Sequence, residues 1–150
     1  MENVFLYFVF IGDKFTFNDE IIGEGCQGKV YMGKENETGD QVAIKFINKS
    51  LLSERSLARL DTEVKILTNA SHRNIVGFKH YLSEFTLPYN VDRTDSSWGV
   101  IVMDYCPYDM FDYLLVSGCF SEELSRTYFR QLLNGLQACH DCGVYHRDST

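Results

Sequence analysis

Apolar positions along this chain switch between two periods. From residue 13 to 22 Phe15, Phe17 and Ile21 are the buried candidates of a strand. Val30 and Met32 then alternate with Tyr31, and a polar turn follows at Glu37, Thr38, Gly39 and Asp40. Val42, Ile44 and Phe46 alternate with Ala43, Lys45 and Ile47, which predicts the return strand of a hairpin. The period then lengthens. Leu57, Leu60, Val64 and Leu67 form one helical stripe, predicting a helix over residues 54 to about 69. Residues 75–82 and 98–105 read as two more strands, separated by a polar surface loop over 83–97 that holds Pro88.

Two helices close the sequence. Residues 109–116 form a short one stopped by Gly118. Ser121 caps a longer one, with Glu122 and Glu123 favourably placed at its positive end. Leu124, Tyr128, Leu132, Leu136 and His140 recur at every fourth position, with Phe129 and Leu133 beside them, so this helix is expected in a core and ends at Gly143. The expectation is an α+β chain: five antiparallel strands with one helix, followed by helices.

The apolar run Val4, Phe5, Leu6, Tyr7, Phe8, Val9, Phe10 and Ile11 follows Glu2 rather than a basic segment and lacks a small-residue cleavage site. It is too short to span a bilayer, and its β-branched and aromatic content favours a strand. It has no evident chemistry.

Chemistry enters at Gly23, Gly25 and Gly28. Three glycines at this spacing let a backbone turn lie flat against phosphate oxygens, since no Cβ holds it off. The same spacing opens a helix in dinucleotide folds, but here it joins two strands, which excludes that reading. Lys45 lies in a run that is apolar on both sides, so its ammonium must reach solvent or meet an anion. Glu63 flanks the helical stripe about 40° from Leu67 and is placed to face that lysine.

The run Gly23-Glu24-Gly25-Cys26-Gln27-Gly28-Lys29-Val30, then Val42-Ala43-Ile44-Lys45, then His146-Arg147-Asp148, resembles a eukaryotic protein kinase domain. The wording of the last two helices is closest to the calcium/calmodulin-dependent and AMP-activated group of serine/threonine kinases. The resemblance implies a kinase domain over 15–150, with a small lobe at 15–103, a hinge at 104–107 and part of a helical large lobe at 108–150, preceded by an extension at 1–14. It implies ATP with Mg²⁺ as cofactor. Ile22, Gly23, Glu24, Gly25, Cys26, Gln27 and Gly28 would cover the nucleotide, Val30 and Ala43 would sandwich the adenine, and Met103, Asp104 and Cys106 would line its edge at the hinge. Lys45, steadied by Glu63 of the regulatory helix, would hold the α- and β-phosphates, and Asp148 would accept the proton of the substrate hydroxyl.

Composition narrows the partners. A net charge of -7 argues against a nucleic-acid surface and against anionic lipid. Five scattered cysteines fit a reducing compartment, hence a cytoplasmic or nuclear address. The C-x-x-C spacing of Cys139 and Cys142 has no second pair to complete a metal site. The expected partner is a protein substrate.

Two departures from the family pattern matter. Thr150 stands where serine/threonine kinases place a lysine. The metal-binding asparagine, the Asp-Phe-Gly ligand and the activation segment of the family are not in these 150 residues. The expectation is therefore that this stretch alone does not phosphorylate protein at a useful rate. Two alternatives are a kinase-like module that binds nucleotide or a partner without transfer, and a fragment whose uncovered apolar faces keep it from persisting folded.

Overall fold

A computed structural model describes residues 9–25, 28–86 and 97–145. The strands are β1 (Val9–Ile11), β2 (Phe15–Gly25), β3 (Gly28–Glu35), β4 (Gln41–Asn48), β5 (Phe78–Thr86) and β6 (Ser97–Asp104), and the helices are α1 (Glu54–Asn69), α2 (Met110–Ser117) and α3 (Glu122–Asp141). The chain divides into two compact units, Met1–Asp61 with Phe78–Tyr105, and Thr62–Gly77 with Cys106–Thr150.

The first unit is an antiparallel sheet in the order β1-β2-β3-β4-β6-β5. Strand alternation sends Val42, Ile44 and Phe46 to one face of β4, where they meet Val100 and Val102 of β6 and Phe15 and Phe17 of β2 in a shared core. Phe46 is its centre. Its ring lies 4.9 Å from Phe17, 5.5 Å from Tyr31 and 5.9 Å from Phe85, centroid to centroid. The sheet curls strongly: the rings of Phe15 on β2 and His80 on β5 are 5.9 Å apart, although β3, β4 and β6 lie between those strands in the sheet. Ala43 and Ile47, on the other face of β4, are also buried, so this strand is covered on both sides.

The sheet has six strands, one more than the apolar pattern of residues 13–105 predicts. The extra strand comes from the N-terminal apolar run. Val9, Phe10 and Ile11 pair with Phe17, Thr16 and Phe15 after a turn at Gly12, whose φ of 57° suits glycine. Val9 and Ile11 are buried in the core, because the curl leaves an apolar floor that the edge of β2 alone does not close.

Boundaries shift elsewhere. The strand expected over 75–82 runs from Phe78 to Thr86. At its start the Ile75 N–H donates to the His72 carbonyl, and the Asn74 N–H donates to His72 Nδ1, holding that segment in a turn. At its end Phe85 packs on Phe46, and Lys49 Nζ donates to the Ser83 carbonyl, which keeps in the sheet residues that read as loop. The first strand extends to Gly25, and the last begins at Ser97 and stops at Asp104.

In the second unit Asp109 caps α2, its carboxylate accepting from the Phe111 N–H at 2.6 Å, and Ser121 caps α3 through the Leu124 N–H. Gly118 and Gly143, both at φ 75°, follow the two helices. The expected core role of α3 is not realised among the described residues. Phe129, Leu132 and Leu133 are 61%, 59% and 47% exposed, and Gly135 is its buried residue. Its burial has a cause: a Cβ at Gly135 would stand 2.7 Å from the Asn74 carbonyl oxygen. No helix among the described residues is long and apolar enough to cross a membrane.

Candidate nucleotide site

The glycine stretch folds as the two arms of a hairpin. Gly23 pairs with Val30, Glu24 with Lys29 and Gly25 with Gly28, after register shifts on either side of Ile21. The three glycines do different things. A Cβ on Gly28 would stand 1.8 Å from the Phe46 carbonyl oxygen, and its φ is 152°, so the fold itself requires glycine there. A Cβ on Gly25 would meet nothing within 4 Å, and one on Gly23 would make an ordinary 3.7 Å contact with Val30. Packing among the described residues therefore accounts for Gly28 alone. Glycine inside a strand marks a bulge, a tight bend or a surface that something else approaches closely; Gly23 adjoins a register shift, and Gly25 ends its arm of the hairpin with its Cβ side open.

Pairing fixes which side chains share a face. Val30 stands opposite Lys45, Met32 opposite Ala43, Ala43 opposite Met103 and Lys45 opposite Ile101. Directly opposed residues point the same way, so Val30, Ala43, Lys45 and Met103 lie on one face, turned away from the Phe46 core. Ala43 and Ile101 are buried, while Val30, Lys45 and Met103 are half-buried. Next along this face Gly99 stands opposite Ile47, and the space beyond Gly99 is taken by Leu60 of α1, 3.7 Å from where a Cβ would be. The start of α1 thus packs on the face that carries Lys45.

Lys45 has no carboxylate within 4.0 Å among the described residues. Glu63 lies on α1, but its side chain falls outside the described set, as do Cys26, Gln27, His146, Arg147, Asp148 and Thr150. Ile22 and Glu24 are exposed on the hairpin. Cys106, exposed with a free thiol, belongs to the second unit. Among the described residues no group of three or more His, Cys, Asp or Glu side chains could hold a metal ion.

Asp104 is placed differently from Met103. It stands opposite Val42, so its carboxylate lies on the core side of the sheet, where Lys79 Nζ approaches Asp104 Oδ1 at 3.6 Å and Glu35 Oε2 at 2.9 Å. The hydrogen bond that Lys79 donates to Glu35 is the main cause that raises the Lys79 pKa above its ordinary value, with partial burial opposing it and both negative charges adding to the rise. Sequence reasoning missed this cluster. Its three members are far apart in the chain: Lys79 and Asp104 meet because β5 pairs with β6, and Glu35 of β3 joins them because the sheet curls.

Comparison with known proteins supplies the family. The protein kinase domain profile matches residues 17–149. The chain is 33% identical over 130 residues to maternal embryonic leucine zipper kinase of Danio rerio, covering 86% of this chain and 18% of that protein. It is 33% identical over 129 residues to CBL-interacting protein kinase 32 of Oryza sativa subsp. japonica, covering 85% and 27%. It is 34% identical over 128 residues to CBL-interacting serine/threonine-protein kinase 24 of Arabidopsis thaliana, covering 85% and 26%. The chain thus spans between about a fifth and a quarter of the length of these relatives. The order of its motifs, the curled antiparallel sheet beneath them and the profile match agree: the chain belongs to the protein kinase domain family.

Proposed function

We propose that this chain is the nucleotide-holding part of a serine/threonine protein kinase, which transfers the γ-phosphate of ATP to a hydroxyl of a protein substrate. The observation that carries this reading is the shared face of Val30, Ala43, Lys45 and Met103 beneath a hairpin whose Gly23 and Gly25 have no packing reason to be glycine. An adenine fits the apolar part of that face, between Val30 and Ala43 and beside Met103. The Lys45 ammonium lies further along it, towards Ile47, where a polyphosphate would supply the anion a half-buried lysine needs. The open backbone at Gly25 is suited to closing over phosphate oxygens.

Catalysis of such a transfer is mostly positioning and charge neutralisation. In this reading the glycine hairpin and Lys45 orient the triphosphate, Glu63 steadies Lys45, and Asp148 accepts the proton of the attacking hydroxyl. Mg²⁺ accompanies ATP in the family and neutralises phosphate charge when bound. The residues that hold it in the family are not among these 150. A second reading, nucleotide binding without efficient transfer, is favoured by Thr150, which replaces the lysine of the serine/threonine signature.

Calorimetric titration of the chain with ATP tests the binding, and a phosphotransfer assay comparing the chain with Asp148→Asn tests the chemistry. Saturable ATP binding with no transfer supports the second reading for this stretch. Absence of ATP binding overturns both readings.

A further inference from the structure

Strand β5 leaves the regular ladder twice, between Phe78 and His80 and between Leu82 and Phe85, and the first place bears on the candidate site. Phe78 stands opposite Met103 and His80 opposite Val102, so Lys79 is the extra residue of a bulge. Such a residue has no cross-strand partner, and its side chain is re-aimed. That of Lys79 is directed to two strand ends. Glu35 is the last residue of β3 and Asp104 the last of β6, and the ammonium lies within 2.9 Å and 3.6 Å of their carboxylates. The Lys79 side chain is 25% exposed and that of Glu35 24%, so this pair is better shielded than the Glu24–Lys29 pair on the hairpin, at 66% and 46%, while Asp104, at 55%, is the exposed member of the cluster.

The position of Asp104 gives the cluster its meaning. Asp104 directly follows Met103, which faces the candidate adenine slot with Ala43, whereas the Asp104 carboxylate lies on the opposite side of the sheet. A strand end frays unless something holds it. We propose that Lys79 is a positioning residue for nucleotide binding, gripping Asp104 from the core side so that Met103 and the Asp104 backbone are held in place beneath the adenine. This inference rests on the nucleotide reading above. It separates the two ends of that site, because Lys45 and the glycine hairpin, which would meet the phosphates, have no contact with the cluster among the described residues.

The test is titration of the 150-residue chain, as wild type, Lys79→Met, Lys79→Arg and Asp104→Asn, with ATP and separately with inorganic tripolyphosphate. Lys79→Met is expected to weaken ATP about threefold to tenfold and tripolyphosphate by less than about twofold, the size of effect that a residue acting through a neighbour transmits. Lys79→Arg restores most of the loss, and Asp104→Asn reproduces it. Equal losses for both ligands would mean general loosening of the sheet and would overturn the proposal, as would unchanged ATP affinity in Lys79→Met. If Lys79→Met does not fold, Asp104→Asn, which keeps the shape of the side chain, carries the same comparison with the same two outcomes. A wild-type chain that binds no ATP overturns the nucleotide reading and this inference together, whereas one that binds ATP regardless of Lys79 overturns this inference alone.

Discussion

Val30 on β3 stands directly opposite Lys45 on β4, so the last apolar residue of the glycine motif and the lysine of the second motif project from the same face of the sheet. Two motifs separated by a turn in sequence are thereby made into one surface. If that surface holds a nucleotide, the lysine is its main anion contact. Replacing it with methionine keeps the stem and removes the charge. Lys45→Met is expected to weaken ATP binding by about 1.5–3 kcal/mol, the usual worth of a hydrogen bond to a charged group. Where Glu63 steadies Lys45, the melting temperature of the free chain should fall as well, because a half-buried pair loses one partner, and an unchanged value would mean that the ammonium has no such partner in the free chain. Calorimetry and thermal unfolding on the same sample read both quantities.

The glycines separate fold from function in a second way. Gly28→Ala drives a methyl into the Phe46 carbonyl oxygen at 1.8 Å and forces a side chain onto a φ of 152°. β3 and β4 must part there, and a loss of about 3 kcal/mol or more is expected in urea unfolding. Gly25→Ala meets nothing within 4 Å and should leave stability within about 1 kcal/mol while weakening ATP binding. A Gly25→Ala chain that binds ATP as well as wild type would show that the hairpin does not close over phosphate.

Much of the sheet was legible because short runs rich in β-branched and aromatic residues follow clear turn signals, as Val42 to Ile47 follow the turn at Glu37 to Asp40, although burial on both faces blurs their alternation. The helix starts were legible through their caps, Asp109 and Ser121. What stayed hidden depends on contacts between distant residues. Phe85 belongs to a strand because Phe46 receives it, and no local signal in the polar stretch around it says so. The separate roles of Gly25 and Gly28 are likewise invisible in a motif that treats them alike, since only the closeness of β4 distinguishes them. The exposed stripe of α3 shows the converse: periodicity records that Phe129, Leu132 and Leu133 share a face, not what covers it.

The N-terminal run gives a third prediction. Ile11 is 2% exposed and pairs with Phe15 at the floor of the core, although the family match begins only at residue 17. Ile11→Ala is expected to cost about 2–4 kcal/mol in urea unfolding, as for other fully buried isoleucines. The neighbouring Phe10, 62% exposed on the other face of β1, should tolerate alanine within about 1 kcal/mol. Equal, small effects at both positions would show that β1 is not part of the folded core.

The Lys79 cluster makes stability depend on pH in a defined direction. Its pKa is raised above the ordinary 10.5 by the hydrogen bond to Glu35 and by the charges of Glu35 and Asp104, against the opposing effect of partial burial. The folded state therefore holds the lysine proton more tightly than the unfolded chain does. Above pH 10.5 the unfolded chain begins to lose that proton first, so folding loses stability as pH rises through the folded-state value, and the contribution is complete below 10.5. Other lysines and tyrosines titrate in the same range, so the readout is the difference between wild type and Lys79→Met in unfolding free energy from pH 8 to 11. That difference should be constant up to about pH 10 and shrink above it. A difference that stays flat to pH 11 would mean that Lys79 gains nothing from its two carboxylates, and it would leave the bulge at Lys79 without an electrostatic role.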